Sequence, residues 1–174
     1  MDIRPLFDGG PFIPVVCLGA WPFDGKMGLC PEKQAIRTVH AALDAGISFI
    51  DTAEAYGISE SVVGKALKGR RNEVFLATKL SGEHSSRHIS DAITNSLRAL
   101  RTDHIDLYQI HTPRPEWPIG DTISDLLKLR DIGKIRYIGV SNFTAKQHLD
   151  ASVYGSIHSS QPQYNMLHRN RFEV

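Results

Sequence analysis

Two hydrophobic patterns take turns along this chain. Val15 to Leu18, Ile47 to Ile50, Val74 to Thr78, Ile105 to Ile110, Ile135 to Val140 and, more weakly, Ile157 to Ser160 are short apolar runs that read as buried strands. Between them the apolar positions fall at helical spacing. Ala35, Ile36, Val39, Ala42 and Leu43 predict a first helix, with Pro31 at its first position and Gly46 as its stop. Val62, Val63, Ala66 and Leu67 predict a second, capped and charged by Ser59 and Glu60 and ending near Gly69. Ile89, Ile93, Leu97 and Leu100 mark a third, Ile123, Leu126 and Leu127 a fourth closed by Gly133, and Thr144 caps a fifth. An N-terminal segment reads as a hairpin over one end of the fold. The strands lie too far apart for hairpins between them, and each helix supplies the crossover that parallel pairing needs.

Serial β/α units close either as a doubly wound sheet or as a (β/α)8 barrel of about 250 residues. No early strand leads into a Gly-rich phosphate turn, which favours the barrel. The expected fold class is therefore α/β, a parallel (β/α)8 TIM-barrel type with only about six strands. Residues 1–174 form one domain on this reading, without strands seven and eight. An open barrel leaves two strand edges unpaired, so a homo-oligomer formed through those edges is expected.

Composition narrows the function. Of 174 residues, 41% are hydrophobic and 22% charged, with a formal net charge of +1, which gives no electrostatic basis for a nucleic-acid partner. No run approaches the roughly 20 apolar residues of a membrane helix. MDIRPLFDGG does not resemble a signal peptide, and Cys17 and Cys30 stand at no metal or redox spacing, so a cytoplasmic setting is expected. Cys17 reads as a small buried residue. His84 and His88 are four apart without the glutamate of a zinc-protease motif, and a loop or solvated helix explains them, so no metal site is expected. Arg70 and Arg71 follow a helix end, where cations suit the dipole. Arg169 and Arg171 touch a cofactor or nothing.

The chemistry gathers at the strand exits. GISFIDTAEAYGISESVVG, from Gly46 to Gly64, runs from strand through loop to helix and delivers Asp51 and Tyr56 to the rim where parallel β/α folds do their chemistry. Lys79, placed in the loop after the third strand, His111, Ser141 with Asn142, and Gln161 follow the later strands onto the same rim. Together they suit proton delivery to a carbonyl. A tyrosine of pKa about 10 is a weak acid or base near neutrality unless a cation favours its phenolate, and Lys79 supplies one. Asp51 pairs with Lys79, and His111 hydrogen-bonds a substrate oxygen. The hydroxyl and carboxamides of Ser141, Asn142 and Gln161 suit a neutral carboxamide ligand. Trp21 is a candidate pocket wall, and Trp117 with the prolines after His111 gives an apolar mouth.

DTAEAYG, ATKL, QIHTP, IGVSNF and SQPQYN, in this order, resemble the aldo-keto reductase family. That resemblance implies a (β/α)8 barrel and NADPH-dependent, reversible reduction of an aldehyde or ketone to an alcohol. It implies Tyr56 as general acid, Lys79 as the partner that lowers its pKa, Asp51 as the support of Lys79, and His111 as the residue that orients the small-molecule carbonyl substrate. Ser141, Asn142 and Gln161 would hold the nicotinamide carboxamide, with Gly19, Ala20 and Asp51 lining the cofactor. Trp21, Tyr56 and His111 would meet the substrate. Two other expectations stand beside this one. One is a catalytically inactive partial barrel that acts as a structural or self-associating module; the other is a retained stretch of a longer reductase.

Overall fold

The computed structural model describes residues 1–167 and 169. An antiparallel hairpin of β1 (Ile3–Pro5) and β2 (Phe12–Pro14) precedes the main sheet, as the sequence pattern predicts. Then β3 (Leu18–Gly19), β4 (Phe49–Asp51), β5 (Phe75–Leu80), β6 (Ile105–Ile110), β7 (Ile135–Ser141) and β8 (Ser159–Gln161) pair in that order, all parallel. A 3-10 turn over Trp21–Asp24 and α1 (Glu32–Asp44) join the first pair. The later connections carry α2 (Ser59–Ala66), α3 (Ser86–Leu100), α4 (Ile119–Asp131) and α5 (Ala145–Ser152). Strand order follows chain order without a reversal. A doubly wound sheet must reverse, so this curled sheet is the barrel succession.

The helices bury one stripe each. On α3, Ile89, Ala92, Ile93, Ser96 and Leu100 recur at three- and four-residue intervals and face inward, against the strand residues Leu76, Leu80 and Tyr108 of the same core. Gly64 on α2 lets that helix meet the end of α3. A Cβ there would stand 2.7 Å from Leu100 Cα.

Several local readings change. Val15 and Val16 are about half exposed and link the hairpin to a two-residue β3, so the first strand of the main sheet begins at Leu18 and is not fully buried. Pro31 is the residue before α1 and not its first turn. Ser59 does not cap α2: Ile58 holds the cap position, and the Ser59 hydroxyl donates instead to Ala20 O at 2.7 Å. Glu60 is buried, accepting from Thr78 Oγ1 at 2.6 Å, and burial raises its carboxyl above the usual range. Lys79 lies inside β5 and not beyond it. Thr144 does cap α5, in a full capping box with Gln147. Arg71 does more than charge a helix end, as it binds Asp106 at 2.8 Å.

Candidate active site

The site is built where β4 ends opposite Ala77 and β5 runs on to Leu80. Asp51 closes β4, and the backbone then continues along β5: Thr52 N donates to Ala77 O at 3.0 Å and Glu54 N to Lys79 O at 3.2 Å. Tyr56 N turns back onto Ala53 O at 3.0 Å, so the loop carrying the tyrosine is fixed by its main chain. The Thr52 and Ser59 hydroxyls, 2.9 Å apart, tie the loop to the start of α2.

At the centre is an ion pair. Lys79 Nζ donates to Asp51 Oδ2 at 2.6 Å and to Thr52 O at 2.9 Å, with the lysine side chain 2% exposed. A charge this buried needs both its partner and its hydrogen bonds. Asp51 also accepts from Gln109 Nε2 on Oδ1 and Gln161 Nε2 on Oδ2, each at 3.2 Å. Strands β4, β5, β6 and β8 therefore converge on one carboxylate.

The aromatic groups stand around that pair. The Tyr56 ring stacks on Trp21 at 6.0 Å and meets His111 edge-on at 5.5 Å, and Lys79 Nζ lies 5.2 Å from its centroid. Burial, with the Asp51 and Asp24 carboxylates, pushes the Tyr56 phenol above its ordinary value. This differs from the expected lowering. The lysine charge is matched by Asp51, which leaves desolvation and the carboxylates to dominate. A phenol so raised keeps its proton through neutral pH and can serve as a donor. Burial, then the Lys79 cation, lowers the pKa of His111, so its imidazole is neutral near pH 7.

The carboxamides form a second cluster. Asn142 has a φ of 62°, which asparagine tolerates better than other non-glycine residues. Its side chain donates to His111 O at 2.9 Å and Ser141 Oγ at 3.1 Å, its N–H to Gln161 O at 3.2 Å, and the Ser141 hydroxyl to Gln161 O at 2.9 Å. Gly19, beside Asp51 in register, has open space where a Cβ would stand. One hydroxyl, two carboxamides and a bare backbone fit a neutral nicotinamide carboxamide. Ala20 is fully buried, with its N–H on Asp51 O and its C=O taken by Ser59. It supports the floor and presents no free polar group.

Other candidates lie apart. Burial pushes the Cys17 thiol up to about 12, which removes it as a nucleophile. His84 is 5% exposed, in the loop before α3 and not solvated, while His88 lies on α3. Trp117 lines a cavity of about 230 Å³ with His84, Pro113 and Phe143. Among the described residues no group of His, Cys, Asp and Glu could hold a metal ion, and no helix is long and apolar enough to cross a membrane. Arg171 lies outside the described residues. Gln109, Glu54 and Ser81 are not among the site residues expected from the sequence, and His88, set aside there as a metal ligand, stands beside Glu54 and Ser81. Gln109 had a signal in principle, as a polar residue within the run IDLYQI.

A parallel sheet in chain order, bearing tyrosine, lysine, aspartate and histidine on its carboxyl rim, defines a chain of the (β/α)-barrel class. Residues 15–174 match the Aldo/keto reductase family, and the chain belongs to it. The aldo-keto reductase YhdN of Bacillus subtilis is 43% identical over 187 aligned positions, covering 99% of this chain and 56% of that protein. Aldo-keto reductase AKR11C1 from Bacillus halodurans, solved in its holo form, superposes with a TM-score of 0.86 at 33% identity, covering 94% of this chain and 58% of that one. A Klebsiella pneumoniae aldo-keto reductase in complex with NADPH gives a TM-score of 0.77 at 33% identity, over 86% and 53% of the two chains. The chain thus spans about half the length of the curated relatives it matches.

Proposed function

We propose that this chain carries the proton-delivery half of an NADPH-dependent carbonyl reductase, which converts an aldehyde or ketone to an alcohol. The observation that carries this reading is the convergence of Tyr56, Lys79, Asp51 and His111 on one rim, with the Lys79–Asp51 pair at 2.6 Å and the Tyr56 and His111 rings beside it. Bound NADPH supplies the hydride. Ser141, Asn142 and Gln161 hold its carboxamide, and Gly19 and Asp51 line its approach. The preference for NADPH is drawn from relatives such as the Klebsiella enzyme. His111 donates to the substrate oxygen and Trp21 walls its apolar part. Tyr56 then gives its proton to that oxygen as negative charge builds on it. Lys79 stabilises the phenolate left behind, and Asp51 with Gln109 keeps Lys79 charged and in place.

The test is the loss of reduced-nicotinamide absorbance on adding a reactive aromatic aldehyde, with NADPH and NADH compared. Turnover that disappears in Tyr56→Phe, with cofactor affinity retained, supports the reading. Turnover that persists in that variant overturns it.

One observation favours self-association as a second reading. Among the described residues β3 and β8 each pair on one side only, and exposed apolar residues flank both, Val15 and Val16 on one side and Met166 and Leu167 on the other. Light scattering across a concentration series would show a dimer or larger species if these edges meet a second copy, and a monomer throughout if they do not.

A further inference from the structure

Ser81 follows β5 directly and is gripped at three points. Its N–H donates to Glu54 Oε2 at 2.8 Å, and its C=O accepts from His88 Nε2 at 2.7 Å. Its hydroxyl lies 2.8 Å from His111 Nδ1. The first two grips are joined, because His88 Nε2 also stands 3.3 Å from Glu54 Oε1. A backbone carbonyl can only accept, so His88 carries a proton on Nε2 and shares it between Ser81 O and Glu54. Glu54 is in turn anchored through its N–H to Lys79 O. The same loop that delivers Tyr56 therefore reaches across β5 and holds the serine that meets His111.

His111 is pinned at its own main chain as well. Its N–H donates to Leu80 O at 3.0 Å and its C=O accepts from Asn142 Nδ2 at 2.9 Å. With Nδ1 occupied by Ser81, the ring nitrogen left to meet a ligand is Nε2. A neutral imidazole has one donor and one acceptor nitrogen, and which is which depends on the partner at Nδ1.

We propose that Ser81, clamped by Glu54 and His88, is a positioning residue that fixes His111 with its proton on Nε2, so that this N–H meets the oxygen of a carbonyl substrate. The hydroxyl proton decides the direction. Among the described residues His111 Nδ1 is the only side-chain partner of Ser81 Oγ, so donation to Nδ1 gives that proton its acceptor. Were Nδ1 protonated, the hydroxyl of this half-buried serine would have to turn its own proton away from the ring toward solvent, and Nε2 would turn a lone pair toward the carbonyl oxygen, which repels it. Burial and the Lys79 charge keep the ring neutral, so the tautomer is a real choice near pH 7.

The substrate half of this inference rests on the reductase reading; the tautomer half does not. Long-range ¹⁵N–¹H spectra of the histidine-labelled chain near pH 7, with His111 assigned by its disappearance in His111→Gln, report the protonated nitrogen directly. The expected result is a proton on Nε2 in the wild-type chain, a mixture with Nδ1–H in Ser81→Ala, and return of the wild-type pattern in Ser81→Thr, which keeps a hydroxyl. In carbonyl reduction Ser81→Ala should lose about tenfold to a hundredfold in kcat, with KM little changed. A wild-type His111 protonated on Nδ1 would overturn the proposal, as would a Ser81→Ala spectrum identical to wild type. The imidazole spectrum decides the matter whether or not the chain turns over, so a failure of the reductase reading is told apart from a failure of this one.

Discussion

Two buried carboxylates stand at opposite ends of the same sheet, each against cations, and they do different work. Asp106, near the start of β6, is bound by Arg71 and Arg136 at 2.8 Å each and by Leu76 N at 2.9 Å. The Arg71 guanidinium also reaches Thr102 Oγ1, Val74 O and His104 O at 2.8 to 3.0 Å. Its fork joins the entry of β5 to the entry of β6, with its donors directed at protein acceptors. Asp51, at the end of β4, is met by a lysine and two glutamine carboxamides, and the lysine ammonium also faces the ring of a half-buried tyrosine. Arginine suits the first place because its planar fork satisfies several acceptors at once. Lysine suits the second because it concentrates charge beside the phenol that the proposed reaction deprotonates. A buried ion pair is a fastening where its cation meets only protein acceptors, and a candidate site where its cation also adjoins an ionisable phenol.

Removing the acid is expected to have the largest effect. Tyr56→Phe should cost about 10²- to 10⁴-fold in the rate of carbonyl reduction. Its thermal midpoint should barely change, since the ring and its contacts with Trp21 and His111 remain. Because burial and the Asp51 and Asp24 carboxylates raise the phenol, the wild-type rate should not fall off below a pH of about 10, where an ordinary tyrosine ionises. A rate profile falling well below that pH would show Lys79 acting on the phenol more strongly than the carboxylates do.

The two carboxylates can then be compared directly. Asp106→Asn should cost about 3 kcal/mol of stability, because it leaves the largely buried Arg71 guanidinium facing a neutral group, while Arg136 is exposed enough to turn to water. The rate per folded molecule should not change. Asp51→Asn strands Lys79 in the same way, and it should lower that rate as well. Urea melts paired with active-site titration separate the two effects. Equal loss of specific activity in both variants would break the comparison.

A smaller effect is expected with pH. Burial lowers His84 from 6.5 to about 4, so the folded chain keeps it neutral while the unfolded chain protonates it below about 6.5. The unfolded state then binds the extra proton, and stability falls as pH drops from about 6.5 toward 4, by on the order of 1–3 kcal/mol. His111 and His158, also lowered by burial, add in the same direction. His84→Gln should flatten this slope in denaturant melts at pH 7 and pH 5. An unchanged slope would place the acid sensitivity elsewhere.

Strands and helices were legible because burial writes a period into the sequence: the stripe on α3 and the run IDLYQI each name their element. The strand-exit residues were legible for a related reason, as Asp51 and Ser141 are polar interruptions at the end of apolar runs. What periodicity cannot show is the fate of a polar residue that the fold turns inward. Glu60 looks like an N-terminal charge on α2 and instead meets Thr78 on β5. Lys79 looks like a loop residue because it is charged, yet it lies within β5 with its ammonium held by Asp51. Val15 and Val16 carry strand-forming side chains but fall between the hairpin and β3, with Val15 N bonded to Asp2 O and neither residue paired to the main sheet. Glu54 is 27 residues from Ser81 in sequence, and its meeting with Ser81 and His88 depends on where β5 places the residue after its end. The long-range contacts that turn these residues into a site belong to the topology.

The smallest effect falls next to the carboxamide cluster. α5 is eight residues long and buries only Ala151, so little packing holds it and its N-terminal hydrogen bonds matter more than for the longer helices. Thr144 Oγ1 accepts from Gln147 N at 3.2 Å, and Gln147 Oε1 accepts from Thr144 N at 2.9 Å. Thr144→Ala should cost about 0.5–2 kcal/mol, read as faster amide exchange across α5, and Thr144→Ser should recover most of it. Asn142, two residues earlier, is held by bonds to His111 O and Gln161 O that do not involve the Thr144 cap. Cofactor affinity should therefore survive the loss of the cap. A parallel drop in affinity would mean that the left-handed backbone at Asn142 depends on the helix it leads into, and the site would then extend into α5.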